Sequence, residues 1–206
     1  MNNTRVVVFG DSIAYGAWDS EGGWVDRLKR ELCKDYVEGG NKNQVLNFSI
    51  GGATSERILE ILEPSLMTMD GEKWDLIVVL SFGSNDSRLV ESKPEFSIGD
   101  YEGKIRKIVS TARKYAGRMM FVSGHRLGAE EVLFGNRLYT ETARKEYEAV
   151  AKRVFDELGV EYVDVVELFA GREEELLFRD KVHINDEGHK VVLEEVRKRL
   201  MEGGRK

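Results

Sequence analysis

The stretch Arg5-Val6-Val7-Val8-Phe9-Gly10-Asp11-Ser12 decides the fold that the sequence predicts. Its nearly continuous β-branched run is typical of a central strand in a parallel sheet, where both faces are buried. The run stops at a glycine, a carboxylate and a hydroxyl, which a core strand does not need. Because sites in open α/β sheets lie beyond the carboxyl ends of the strands, we take Ser12 as a candidate functional residue.

The rest of the chain alternates strands with helices. Further strands are predicted over 44–48, 74–82, 119–123 and 160–165. Helices are predicted over 24–32, 101–115 and 186–201. Two more helices are predicted, one that begins at residue 54 or 55 and one of roughly twenty residues after Gly135. The stretches 87–99 and 125–135 are predicted loops. This alternation predicts an α/β fold with about five parallel strands and helices on both faces of the sheet. We expect one domain over residues 1–206.

Three of the predicted strands end in residues that suit acyl transfer. Ser12 follows the first strand, Gly51-Gly52 the second, and Gly83-Ser84-Asn85-Asp86 the third. In a parallel sheet these ends lie side by side, so a hydroxyl, a glycine N–H and an asparagine amide converge. One nucleophile with donors for a developing oxyanion is what acyl transfer requires.

A base for the serine should be one of three histidines. His183 follows Asp180 in a turn before the last helix, so the carboxylate can hold the imidazole while the other ring nitrogen faces a hydroxyl. His189 is predicted to pack inside that helix. His125 could line the pocket or be a loop residue, and Trp18 could pack or border the site.

Four sequence blocks together resemble those of the GDSL/SGNH hydrolases, in the order of that family. They are Gly10-Asp11-Ser12, Asn47-x-x-x-x-Gly52-x-Thr54, Gly83-x-Asn85-Asp86 and Asp180-x-x-His183. The resemblance implies a flavodoxin-like three-layer α/β/α sandwich and hydrolysis of esters or thioesters without a metal or other cofactor. Sugar deacetylation and lysophospholipid hydrolysis also occur among such enzymes.

The resemblance also implies roles for individual residues. Ser12 would be the nucleophile, His183 the base and Asp180 the group that orients the base. The oxyanion hole would be the N–H of Ser12, the N–H of Gly52 and the side-chain amide of Asn85. Gly51 is an alternative to Gly52, but the spacing from Asn47 and to Thr54 favours Gly52.

Composition limits the partners and the compartment. Charged residues make up 33% of the chain and hydrophobic residues 41%, which is typical of a folded globular protein. A net charge of −6 without a basic block argues against nucleic acid, and no apolar run is long enough for membrane insertion. The single Cys33 and the lack of a secretory leader sequence predict a cytoplasmic protein. A single glutamine among many charged residues is typical of thermophilic proteins.

Other interpretations stay open from the sequence alone. Ser12 could be a helix cap, Gly51-Gly52 a plain turn, Asn85-Asp86 an Asx turn, and Asp180 with His183 a surface ion pair. The chain could also be a metal-dependent phosphoesterase with Asp11, Asn85 and His183 as ligands, or a ligand-binding module without catalysis. As an esterase, it is expected to have an open, shallow site that takes small esters with short acyl chains.

Overall fold

A computed structural model describes residues 3–69 and 74–202 of the chain. Its strands are Thr4–Gly10 (β1), Gln44–Asn47 (β2), Asp75–Ser81 (β3), Leu89–Val90 (β4), Lys93–Pro94 (β5), Arg118–Val122 (β6), Glu131–Phe134 (β7), Arg137–Thr140 (β8) and Glu161–Val163 (β9). Its helices are Ser12–Tyr15 (α1), Gly23–Val37 (α2), Ser55–Met67 (α3), Ile98–Ala112 (α4), Glu141–Glu157 (α5), Val165–Phe169 (α6), Glu173–Leu176 (α7) and Asp186–Glu202 (α8). No helix of the described residues is both long and apolar enough to span a bilayer.

The main sheet has five parallel strands in the order β2-β1-β3-β6-β9. All five predicted strands are in it. Strand β1 lies between β2 and β3, which confirms that the apolar run before Ser12 is an internal strand. Because the strands are parallel, the segments that follow β1, β2 and β3 emerge at the same edge of the sheet.

Alternate residues of β1 pack into two separate cores. Val6 and Val8 face the core formed with α2, α6 and α8, and Val7 and Phe9 face the core formed with α3, α4 and α5. All four side chains are fully buried. Helices therefore cover both faces of the sheet, and the predicted α/β/α sandwich is confirmed.

A second sheet corrects the two predicted loops. Strands β5, β4, β8 and β7 form a small antiparallel sheet within 89–140, where the sequence analysis placed loops and the start of a helix. These strands are only two to four residues long, so their side-chain alternation is too brief to stand out. Helix α5 accordingly starts at Glu141, and residues 137–140 belong to the hairpin β7–β8.

Candidate active site

The five predicted site residues all lie at the carboxyl edge of the main sheet. Ser12 is the first residue of α1, Gly52 is in the turn after β2, and Asn85 is in the turn after β3. Asp180 and His183 lie in the turn before α8. One cavity of about 290 Å³ is lined by four of the five, Ser12, Gly52, Asn85 and His183.

A continuous chain of hydrogen bonds joins Ser12, His183 and Asp180. The Oγ of Ser12 is 3.0 Å from Nε2 of His183, and Nδ1 of His183 is 2.8 Å from Oδ2 of Asp180. The side chain of His183 is 7% exposed, so little water competes for these contacts. With its proton on Nδ1, His183 can accept the hydroxyl proton of Ser12 at Nε2.

The turn around Asp180 fixes the direction of its carboxylate. Oδ1 accepts the backbone N–H groups of Val182 and His183, each at 3.0 Å, which leaves Oδ2 for the imidazole. Burial alone would raise the pKa of Asp180, but these hydrogen bonds outweigh it and hold the pKa below its usual value. The carboxylate is therefore charged at neutral pH, and the Asp180–His183 contact is part of a network rather than an isolated surface ion pair.

Asp11, and not Ser12, caps helix α1. The Asp11 carboxylate accepts the N–H of Ile13 at 3.0 Å, while the Ser12 hydroxyl contacts His183. Burial raises the pKa of Asp11 from 3.8 to about 7. The folded chain consequently binds more protons than the unfolded chain between these two pH values. The contribution of Asp11 to the free energy of unfolding therefore falls as the pH rises through that window.

Trp18, which the sequence placed either in the packing or at the border of the site, contacts the imidazole of His183. Its Nε1 is 3.1 Å from Nδ1 of His183, and its ring packs edge-on against the imidazole and stacks on Phe178 at 6.0 Å. Nδ1 cannot accept this indole N–H and also donate to Asp180. The charge-assisted contact to Asp180 is the shorter and stronger of the two, so we assign the Nδ1 proton to it.

Long-range hydrogen bonds orient the amide of Asn85. Its Oδ1 accepts from the Tyr139 hydroxyl at 2.9 Å and from Nη1 of Arg88 at 3.0 Å, and its Nδ2 donates to the carbonyl of Ala53 at 3.1 Å. Arg88 is itself paired with Glu95. These contacts fix the amide so that the second N–H of Nδ2 is available to a ligand. Neither Tyr139 nor Arg88 is part of a sequence motif that marks the predicted site.

The turn after β2 is held in place by Asp86. The Asp86 carboxylate accepts the N–H of Ser55 at 3.0 Å and also its hydroxyl, at the start of α3. Burial raises the pKa of Asp86 to about 6. Gly52 has a φ of +77°, a conformation that other residues adopt only with strain. Its N–H donates to no other described residue, which leaves it free for a ligand.

The two other histidines are both buried, away from the serine. His189 is fully buried in α8, where its Nδ1 accepts the N–H of Trp24. His125 donates from Nδ1 to the carbonyl of Arg126, and its ring stacks over Phe169. Burial lowers the pKa of each to about 4, so both are neutral at physiological pH. Neither lines the cavity that contains Ser12.

The hairpin β7–β8 closes one side of this cavity. Phe134, Arg137 and Tyr139 line it, and the Phe134 ring packs edge-on against His183 at 5.5 Å. The predicted loop 87–99 does not line the cavity, and the predicted loop 125–135 contributes Phe134 to it. A larger cavity of about 750 Å³ is lined in part by Phe178, Arg179 and Lys181, and by none of the five predicted residues. Residues 3–69 and 74–202 contain no group of three or more His, Cys, Asp or Glu side chains that could hold a metal ion.

Comparison with known proteins gives a family and a fold. Residues 8–191 match the family model for "GDSL-like Lipase/Acylhydrolase family". A GDSL esterase/lipase, WDL1, from Oryza sativa subsp. japonica is 25% identical over 209 residues, which cover 95% of this chain and 77% of that protein.

Two solved structures share the fold at lower identity. The lipase/acylhydrolase from Enterococcus faecalis has a TM-score of 0.72 at 21% identity, covering 95% of this chain and 96% of the other. Axe2, an acetylxylan esterase from Geobacillus stearothermophilus, has a TM-score of 0.72 at 19% identity, covering 96% and 94%. At these sequence identities, the similarity is evidence for a shared fold only.

Proposed function

The chain belongs to the GDSL-like lipase/acylhydrolase family of carboxylic ester hydrolases, and we propose that it cleaves small esters through an acyl-enzyme on Ser12. The observation that carries this proposal is the hydrogen-bonded series from Ser12 Oγ through His183 to Asp180. A histidine held in this way activates a serine that is otherwise a weak nucleophile. A protein that only binds its ligand has no need of that arrangement.

In the proposed first step, Ser12 Oγ attacks the ester carbonyl while Nε2 of His183 takes the hydroxyl proton. The charged Asp180 stabilises the imidazolium that forms. The tetrahedral intermediate collapses when Nε2 returns the proton to the leaving alcohol. Water, deprotonated by the same nitrogen, then attacks the acyl-enzyme, and Ser12 is released with the carboxylic acid.

The proposed oxyanion hole consists of the N–H of Ser12, the N–H of Gly52 and the Nδ2 of Asn85. The restraints on Asn85 support this role, because a donor that is already oriented costs no reorganisation during the reaction. The left-handed conformation of Gly52 and the lack of a described acceptor for its N–H support it as well. We keep Gly52 rather than Gly51 as the donor for these reasons and for its motif spacing.

The size of the cavity supports a preference for short acyl chains. About 290 Å³ is at the lower limit of typical small-molecule sites. Axe2, which shares the fold, is an acetylxylan esterase, and we therefore propose acetyl esters as the first substrate class. Thioesters and lysophospholipids remain candidates, and a series of 4-nitrophenyl esters tests the chain length. A rate that peaks at long chains would contradict the proposed preference.

We propose that residues 1–206 act as one catalytic domain, because the site draws on Ser12 near one end and on His183 near the other. The alternative of a metal-dependent phosphoesterase has a direct test. A chelator should leave the hydrolysis of a carboxylic ester unchanged, and it should abolish a metal-dependent reaction. The donor set favours the serine mechanism, since the two ring nitrogens of His183 contact Ser12 and Asp180.

Labelling with a fluorophosphonate tests the nucleophile. We expect one covalent adduct, located on Ser12 by peptide mass analysis. It should be absent in Ser12→Ala and formed far more slowly in His183→Ala. Ser84 lines the same cavity, so Ser84→Ala is a matched control that should label like the wild type. An adduct on another residue, or an unchanged labelling rate in His183→Ala, would refute the assignment.

A further inference from the structure

One face of the hairpin β7–β8 is directed at the candidate active site. Phe134 lies directly opposite Arg137, and Val132 lies opposite Tyr139. Residues opposite each other in an antiparallel pair share a face, with Cβ atoms about 4.5–5.5 Å apart, and so do residues two apart along a strand. Phe134, Arg137 and Tyr139 therefore share one face, and all three line the cavity with Ser12.

The neighbours of Arg137 on this face touch the two halves of the site. Phe134 packs against the imidazole of His183, and Tyr139 donates to Oδ1 of Asn85. Arg137 is thus placed between the contact to the base and the contact to the proposed oxyanion donor. A guanidinium on this face is within reach of a substrate whose carbonyl is attacked by Ser12.

Arg137 is the unbalanced positive charge of this cavity. Arg88, behind Asn85, is paired with Glu95, and Asp180 is paired with His183. Arg137 is exposed and forms no ion pair with any carboxylate in residues 3–69 or 74–202. The acidic side chain that lines the cavity, Asp11, is buried and directed to the N–H of Ile13. A cation that lines the cavity and has no carboxylate partner is available to bind an anionic group of the substrate.

We propose that Arg137 selects esters that carry a carboxylate or a phosphate near the scissile bond. The planar guanidinium presents paired donors that match either anion in a bidentate, charge-assisted contact. This proposal rests on the proposed ester hydrolysis, and it adds the charge of the preferred substrate. Because Arg137 is exposed, the preference is moderate and weakens as salt screens the contact.

The test compares substrates that differ in one charge. The first pair, 4-acetoxybenzoate and 4-acetoxybenzamide, places the charge on the alcohol side. The second pair, 4-nitrophenyl hydrogen adipate and its methyl ester, places it on the acyl side. The readout is the kcat/KM of the anionic ester divided by that of the neutral ester, in wild type, Arg137→Gln and Arg137→Glu. Lys107→Gln is the matched control. It removes one positive charge, as Arg137→Gln does, but Lys107 is exposed on α4 and lies outside the cavity.

We expect the ratio of kcat/KM for the anionic ester to kcat/KM for the neutral ester to fall about fivefold in Arg137→Gln, for at least one of the two pairs. The ratio should fall further in Arg137→Glu and should not change in Lys107→Gln. Added NaCl should lower the wild-type ratio towards that of Arg137→Gln. Unchanged ratios for both pairs in Arg137→Gln, with the neutral esters still hydrolysed, would overturn the proposal and leave the esterase function intact. Wild-type protein that hydrolyses neither neutral ester would instead refute the proposed function.

Discussion

Replacing Asp180 by asparagine should abolish most of the activity while leaving the fold intact. Oδ1 of Asp180 accepts two backbone N–H groups, those of Val182 and His183. An asparagine keeps these bonds only if its oxygen takes that position. Its NH₂ group then faces Nδ1 of His183, where Oδ2 now lies at 2.8 Å.

The size of the effect follows from the tautomer that this amide imposes. An NH₂ donor requires an unprotonated Nδ1, so the imidazole proton moves to Nε2 and faces the Ser12 hydroxyl. Nε2 then cannot accept the proton of Ser12. The indole N–H of Trp18, 3.1 Å from Nδ1, favours the same unproductive tautomer. Triads that lose their carboxylate in this way lose about 10⁴-fold in kcat, which is about 5 kcal/mol.

The assay is the initial rate of 4-nitrophenyl acetate hydrolysis at neutral pH, with the rate of fluorophosphonate labelling as a second measure. The thermal midpoint checks that the variant is folded, and it should change little because both backbone hydrogen bonds are kept. A folded Asp180→Asn with more than a tenth of the wild-type kcat/KM would refute the tautomer argument.

Trp18 provides an independent check of the same reasoning. In Asp180→Ala the indole N–H is the remaining described donor near Nδ1, and it still favours the unproductive tautomer. Adding Trp18→Phe removes that donor and keeps an aromatic ring beside His183. Since one hydrogen bond contributes about 1 kcal/mol, we expect the double variant to be about fivefold faster than Asp180→Ala. No gain in the double variant would mean that Trp18 does not bias the histidine.

Three further predictions concern the oxyanion side and the buried acid. Asn85→Ala should lower kcat by at least a hundredfold, since one oxyanion donor contributes about 3–4 kcal/mol, and a fall of only a few-fold would exclude the role. Tyr139→Phe should lower kcat for acetate esters only about fivefold and leave KM unchanged, because Arg88 still holds the side-chain amide of Asn85. A loss of kcat as large as that in Asn85→Ala would contradict this prediction. Urea unfolding at pH 5 and pH 8 should show that wild type loses about 3 kcal/mol more stability over this range than Asp11→Asn, which lacks the titrating carboxyl. An equal loss in the two proteins would contradict the raised pKa.

The sequence predicts those parts of the site that depend on local order along the chain. The apolar run Val6-Val7-Val8 marks β1 because both of its faces are buried, and Ser12 follows directly. The Asp180–His183 contact is made within one turn, so its spacing is visible in the sequence. Gly52 and Asn85 follow predicted strands, and parallel pairing brings them to the same edge as Ser12.

The hairpin is less predictable, although one signal for it is present. Gly135-Asn136 separates two short apolar stretches, and a two-residue Gly-Asn turn is typical of hairpins. Gly135 has a φ of +64°, as the first position of such a turn requires. The contact of Tyr139 with Asn85 spans 54 residues, and no local pattern reveals it. The sequence allows Trp18 to border the site because it is close to Ser12 in the chain, but its contact with His183 spans 165 residues and no local pattern reveals it.

The two halves of the site are thus held by different means. The turn that carries Asp180 and His183 is fixed mainly by its own backbone and by the bond from the Gly128 N–H to the Lys181 carbonyl. The orientation of Asn85 depends on Tyr139, which lies on the hairpin with Arg137. Changes at Arg137 and Tyr139 should therefore alter the substrate charge preference and the oxyanion contact, but leave the pairing of Asp180 with His183 intact. Phe134 is the exception on this hairpin, because its ring packs against His183. Substrate preference can then change through Arg137 while Ser12 and His183 stay in place.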